Sequence, residues 1–333
     1  KRAGRRLKES FEDFLNADAR AASCLAVYVD ELLRSGLKGA DEARVNEELN
    51  KVILVFRYLS DKDVFEAFYK QHLARRLLGG RSVSDEAERA MVSQLKAECG
   101  YQFTSKLEGM FNDMRISRDT RDSYKQHKKR EQQAKQQAQA QDAAAGGTSG
   151  DAAAKGATAG QDPDNGKPVD IEVDVLTAGY WPSQNVPPCT LPPPVLRAVD
   201  RFSDFYLKKH TGRKLSWQTS TGTAEVRATF GKSHPYRRHD LSVSTYQMCV
   251  LVLFNASDTL TLGKIREETG IPDRELRRHL ISLCTPKHRI LRKASKGKAI
   301  AGDDDAFSYN PDYTSKLKRV RVPLVSMKET GTG

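Results

Sequence analysis

Apolar positions along the first third of the chain repeat at helical spacing. Val45, Leu49, Val52, Ile53, Phe56 and Leu59 fall 4, 3, 1, 3 and 3 residues apart, which predicts one buried helix face. A second helix is predicted over residues 63–78, with Phe65, Phe68, Tyr69, Leu73 and Leu77 inward, Arg75 and Arg76 near its basic-tolerant end, and Gly79-Gly80 as its stop. A third starts after Ser84 as N-cap and runs through Ala87, Met91 and Leu95 to Gly100. A fourth is predicted from Ser105, where Ser105-Lys106-Leu107-Glu108 reads as a capping box, through Leu107, Met110, Phe111 and Met114. With an amphipathic stretch over 7–33 in front, residues 1–124 read as a helical bundle whose start is truncated.

The pattern then stops. Residues 125–168 contain no Val, Ile, Leu, Met, Phe, Tyr, Trp or Cys, and so bury too little apolar surface to offset chain entropy. We expect a disordered low-complexity insertion there, its start a frayed extension of the fourth helix. Strict alternation returns at 169–175, Val-Asp-Ile-Glu-Val-Asp-Val, the signature of a half-buried strand. Further strands are predicted at 214–219, 224–230 and 240–244, with a turn at Thr221-Gly222, and a helix with Val195, Val199, Phe202 and Tyr206 on one face. Residues 169–244 therefore read as a small α/β domain. Helices at 246–255, 261–269 and 272–283, with Pro272 in a first turn, followed by a hairpin of 288–293 with 306–310, predict a winged helix over 245–325 and a tail at 326–333. The fold class expected is mainly α with α+β: four-helix bundle, small α/β domain and winged-helix domain.

Composition narrows the chemistry. The 333 residues are 38% hydrophobic and 29% charged, and no run approaches the roughly 18 apolar residues of a membrane span. The five cysteines stand far apart with no Cys-x-x-Cys pair, which predicts a reduced, intracellular protein and argues against a zinc ribbon or RING domain within the chain. The net charge of +12 resides in the C-terminal part, where residues 200–333 carry 25 Lys and Arg against 14 Asp and Glu. Such a field attracts nucleic acid or an acidic protein surface. No phosphate-binding, dinucleotide or nucleophile-elbow motif is present. Gly79-Gly80-Arg81-Ser82 reads as a helix stop, Cys284 as a core cysteine rather than a thioester acceptor, and His234 and His239 as loop residues rather than ligands. The carboxylates Asp303, Asp304 and Asp305 read as solvated loop acids. No catalytic residue, metal ligand or cofactor is predicted.

Several blocks, residues 55–78, 98–114, 179–182 (Gly-Tyr-Trp-Pro), 205–213, 244–248 and 253–255, together resemble the C-terminal region of the cullin family, the scaffolds of cullin-RING ubiquitin ligases. The wording of 68–73 and 82–85 resembles most the cullin-three branch, which uses BTB-domain substrate adaptors. The resemblance implies a non-catalytic scaffold acting in cytoplasm or nucleus. Its partners would be a RING-box zinc protein, a ubiquitin-conjugating enzyme held indirectly, and a BTB-domain adaptor bound through an N-terminal half that this sequence lacks. It also implies that the α/β sheet takes in a strand from the RING protein, by augmentation of an open edge. Val173, Val175, Trp181, Leu215, Trp217 and Val226 are the expected binding residues. The family's second winged helix, with its modification lysine, has no match here, so none is assigned, Lys328 included. The rival reading is a DNA-binding winged-helix regulator using Arg274, Arg277, Arg278, Lys287, Arg289, Arg292, Lys293, Lys296 and Lys298; membrane binding is not expected.

Overall fold

The computed structural model describes residues 2–145, 169–182, 187–231, 234–295, 300 and 302–325. They divide into two compact units, one of residues up to 145 with 172–182 and one from 187 onward.

The first unit is helical: α1 (Arg2–Asn16), α2 (Ala21–Glu31), α3 (Glu42–Arg57), α4 (Lys62–Gly79), α5 (Asp85–Cys99) and α6 (Tyr101–Ala145). The side chain of Asp41 caps α3 and that of Ser84 caps α5, each accepting a first-turn backbone N–H. Gly80, at φ 57°, ends α4 in the left-handed conformation that glycine adopts without cost. Leu49, Val52, Ile53, Phe56 and Leu59 are buried as their spacing predicts, and Phe56 meets Phe65 at 4.9 Å between ring centroids. Phe68, expected inward, is exposed.

Arg76 stands in the last turn of α4, as expected, and is only 2% exposed. Its guanidinium donates to the fully buried Glu88 at 2.6 and 3.0 Å and to Asp30 at 2.6 Å. Ser82 Oγ donates to the same Glu88 carboxylate at 2.7 Å. A buried arginine is tolerated because three oxygens of two carboxylates converge on it.

The fourth predicted helix starts four residues earlier than its capping-box pattern suggests. Gly100, at φ 81°, reverses the chain, and α6 resumes at Tyr101, so Ser105 lies inside the helix with its hydroxyl donating to the Gln102 carbonyl. α6 also runs past the expected boundary at residue 124 and through 125–145, where its Gln, Ala and Lys residues are good helix formers despite lacking a buried face. The rest of the predicted insertion, 146–168, lies outside the described residues, as does the tail from 326.

The strand predicted at 169–175 does not form among the described residues, and residues 172–177 have no strand partner there. They lie extended along α6. Ser117 Oγ accepts from Val175 N–H at 2.8 Å and donates to its carbonyl at 3.0 Å. Asp113 accepts from the Thr177 amide, the Thr177 hydroxyl and the Trp181 indole at 2.7 to 2.8 Å. Asp174 pairs with Arg121 at 2.9 Å and Glu172 with Lys125 at 3.2 Å. Alternating apolar and acidic residues suit a helix carrying Ser, Asp, Arg and Lys as well as they suit a sheet, which is why the alternation misleads.

The second unit opens with α7 (Pro193–Lys209), whose buried face is Ala198, Val199, Phe202 and Tyr206. β1 (Thr223–Phe230) pairs antiparallel with β2 (Arg237–Ser244) from Thr223↔Ser244 to Phe230↔Arg237, and β6 (Arg319–Arg321) joins β2 in parallel. The sheet order is β1-β2-β6. A capping box of Ser244 and Gln247, which the sequence reading did not identify, starts α8 (Thr245–Leu253) directly from β2. Then come β3 (Thr259–Thr261), α9 (Leu262–Thr269), ended by Gly270 at φ 63°, and α10 (Asp273–Cys284). Pro272 stands at the N-cap, one place before the first-turn position expected. β4 (Leu291–Lys293) and β5 (Ala306–Tyr309) form the predicted hairpin, with β3 added to give the order β3-β5-β4. Leu241, Val243, Tyr246, Leu276, Leu280, Leu283 and Phe307 are buried in one core.

Candidate partner interface at an open sheet edge

β1 is the longest strand that borders the β1-β2-β6 sheet, and its outer side has no neighbour among the described residues. Its residues alternate cleanly. Ala224, Val226 and Ala228 are half-buried and Phe230 buried, facing Leu241, Val243 and Val320, whereas Thr223, Glu225, Arg227 and Thr229 are exposed. On the exposed face Arg227 donates to Asp240 across the ladder at 2.9 Å, and this bond holds the Asp240 carboxyl below the usual range. Arg319 on β6 lies 3.8 Å from Glu225. An eight-residue edge that has one apolar and one charged face and is not shortened by proline can accept another backbone.

The six residues expected at the interface do not converge on this sheet. Val226 sits on β1, half-buried. Leu215 and Trp217 belong to an extended segment, 213–218, that forms no ladder and so is not the strand expected; Trp217 packs edge-on against Phe202 of α7 at 6.0 Å, and Arg213 donates to the Tyr206 hydroxyl at 2.6 Å. Thr221-Gly222 therefore joins no hairpin; β1 pairs instead with β2, the strand that follows it in the chain. Val173, Val175 and Trp181 belong to the α6-bound segment of the first unit, with Trp181 8% exposed and its N–H committed to Asp113. The reason is local. Both tryptophans find a helix to pack on, Trp217 on α7 and Trp181 on α6, before they find a strand.

Sequence reasoning missed β6. The alternation of Arg319, Val320, Arg321 and Val322 carries the signal, with Val320 and Val322 buried and both arginines exposed, but it is short and follows a lysine-rich run. Asp240 N–H bonding to Lys318 O at 2.9 Å and Val322 N–H bonding to Ser242 O at 3.0 Å extend its ladder.

Three other candidates have clear environments. Burial pushes the Cys284 thiol up to about 12, so at neutral pH it is protonated. His239 is buried, with Nδ1 3.0 Å from the Leu317 carbonyl and its ring beside Tyr313 and Phe230, so it is a packed residue and not the loop residue expected. Asp303 pairs with Arg266 at 3.0 Å and is not simply solvated. No group of three or more potential metal-ligating side chains occurs among the described residues.

The helical first unit and the mixed α/β second unit define a mainly α protein with an appended α+β region. Residues 1–121 match the model of the cullin alpha solenoid domain and residues 175–313 that of the cullin alpha+beta domain. The chain belongs to the cullin family. It is 44% identical over 327 residues to Cullin-3A of Arabidopsis thaliana, covering 97% of this chain and 39% of that protein. It is 38% identical to Cullin-3 of Dictyostelium discoideum, covering 97% and 42%, and 41% identical to Cullin-4A of Mus musculus, covering 97% and 38%. The chain thus spans about two-fifths of the length of the curated relatives it matches. Cullin-three and cullin-four relatives are similar to it in nearly equal degree.

These matches lend no support to the DNA-binding alternative, and three of the nine cations it invoked are engaged within the chain. Arg277 donates to Asp273 at 2.6 Å and to the Ile300 carbonyl at 2.9 Å, Arg278 to the Val325 carbonyl at 3.0 Å, and Arg292 to Asp312 at 2.7 Å. Side chains held by internal acceptors are poorly placed to replace phosphate counterions.

Proposed function

We propose that this chain is the RING-recruiting portion of a cullin-RING ubiquitin ligase scaffold, acting in the cytoplasm or nucleus and making no bond itself. The observation that carries the reading is the unpaired outer side of β1 in a chain of the cullin family. A RING-box zinc protein lends an extended arm to that edge, the backbone hydrogen bonds supply affinity, and the alternate pockets beside Val226 and Ala228 supply register. The RING protein in turn holds a ubiquitin-conjugating enzyme, while the rest of the cullin holds substrate through a BTB-domain adaptor. Rate gain comes from proximity and effective concentration rather than from an acid, base or nucleophile in this chain. The helices after β2 serve, in this reading, as a winged-helix packing module.

Coexpression with a RING-box protein followed by size-exclusion chromatography tests the proposal. One shared peak that persists as salt is raised is expected, because a strand interface depends little on counterion release. Two separate peaks overturn it.

A further inference from the structure

Two of the five cysteines, 60 residues apart in sequence, meet inside the second unit. Cys189 lies in the loop ahead of α7 and Cys249 in the middle of α8, and they are 6% and 2% exposed. Their sulfur atoms are 3.8 Å apart, within reach of a thiol hydrogen bond. A disulfide needs about 2 Å, so a side-chain rotation and a small shift of the loop close the gap. The loop is held in place for this. Cys189 N–H donates to Thr219 Oγ1 at 3.3 Å, and the next residue, Thr190, donates its N–H to the Thr269 carbonyl at 2.8 Å.

The two sulfurs are not equivalent. The bond from Cys249 and a further one from Thr219 bring the Cys189 thiol down to about 7 against the opposing effect of burial, whereas its bond to Cys189 and its own burial push the Cys249 thiol up. Either sulfur can donate the hydrogen bond to the other, and Cys189 is the one on the loop. Buried thiols of this kind are reached by small oxidants during local opening and not by bulky ones.

We propose that Cys189 and Cys249 form an oxidation site at which a hydroperoxide converts the dithiol to an intramolecular disulfide, fastening the loop before α7 to α8. The Cys189 thiolate attacks the peroxide, the O–O bond breaks, water or an alcohol leaves, and Cys189 becomes a sulfenic acid. Cys249 sulfur then attacks Cys189 sulfur, the S–O bond breaks, and the departing hydroxide takes the Cys249 proton as water. The sulfurs lose two electrons and the peroxide gains two.

The test uses the full chain, both native and with Cys24, Cys99 and Cys284 changed to Ser, treated with hydrogen peroxide, alkylated after denaturation and mapped as peptides. The expected result in both is a single linked peptide pair joining 189 to 249, lighter by two hydrogens and released by dithiothreitol. In Cys249→Ser the link is lost and a dimedone adduct accumulates on Cys189. Full alkylation of both thiols after peroxide overturns the proposal, as does over-oxidation of Cys189 with Cys249 still free, or a link that joins two chains.

Discussion

Arg76 carries the largest electrostatic stake in the first unit. It is packed beneath α4 against Glu88 and Asp30, with Tyr69 beside it. Truncation to Met leaves the fully buried Glu88 carboxylate with only Ser82, and we expect Arg76→Met to cost about 3–5 kcal/mol in chemical denaturation. Arg76→Met combined with Glu88→Gln should recover part of that loss, since the stranded charge is gone; an additive double variant would contradict the network. In the second unit His279 is 2% exposed, its Nδ1 2.6 Å from the Glu275 carbonyl and its Nε2 without a protein partner. Burial lowers its pKa below the ordinary value, although the Glu275 contact opposes this. The unfolded chain therefore binds more protons than the folded one at mildly acidic pH, so stability is full above about 6.5 and falls as pH drops below that value. His72 and His288 shift in the same direction, so the contribution of His279 is isolated by substitution. Thermal midpoints between neutral and mildly acidic pH should decline less steeply in His279→Gln than in the native chain. Identical slopes would remove His279 from the account.

The segment bound along α6 turns on one glycine. A Cβ at Gly109 would lie 2.5 Å from the Tyr180 ring, far inside contact distance, so the helix admits the Gly179-Tyr180-Trp181 turn only where a side chain is missing. Gly109→Ala should displace Tyr180 and disturb Trp181, read as a change in tryptophan fluorescence and a net loss of stability. In a Tyr180→Ala background the same change should instead stabilise α6 by about 1 kcal/mol, the usual helix preference for Ala over Gly. Equal effects in both backgrounds would show that the ring does not occupy that space. Elements of this kind separate what is legible in sequence from what is not. The faces of α3 and α5 were legible because period and caps agree, as at Ser84 and Met91. Ser105 was misread because a capping pattern says nothing about a chain reversal at Gly100 five residues before it. Residues 169–175 and 214–219 were misread because alternation reports a half-buried extended chain and not what buries it. Arg76 stands in the last turn as read, but its buried network was not legible because its carboxylate partners lie 12 and 46 residues away.

At the scale of the molecule, the candidate site was legible as a class and only in part as residues. Of the six residues expected at the interface, Val226 alone lies on a strand; the Val175 backbone and the Trp181 side chain are held by α6, and Trp217 packs on α7. The edge itself follows from topology: β6 covers one side of β2, β1 covers the other, and nothing among the described residues follows β1. A short covered edge would need no partner, whereas an eight-residue open one invites strand addition. Hydrogen–deuterium exchange of the chain, alone and with a RING-box protein, examines this directly. The account predicts that the outward-pointing amides of Thr223, Glu225, Arg227 and Thr229, which the β1–β2 ladder leaves unbonded, exchange readily in the free chain and become strongly protected in the complex, and that Arg227→Pro, which inserts a ring and removes one of these outward amides, abolishes both protection and binding. A stable complex in which β1 exchanges as fast as in the free chain would contradict it.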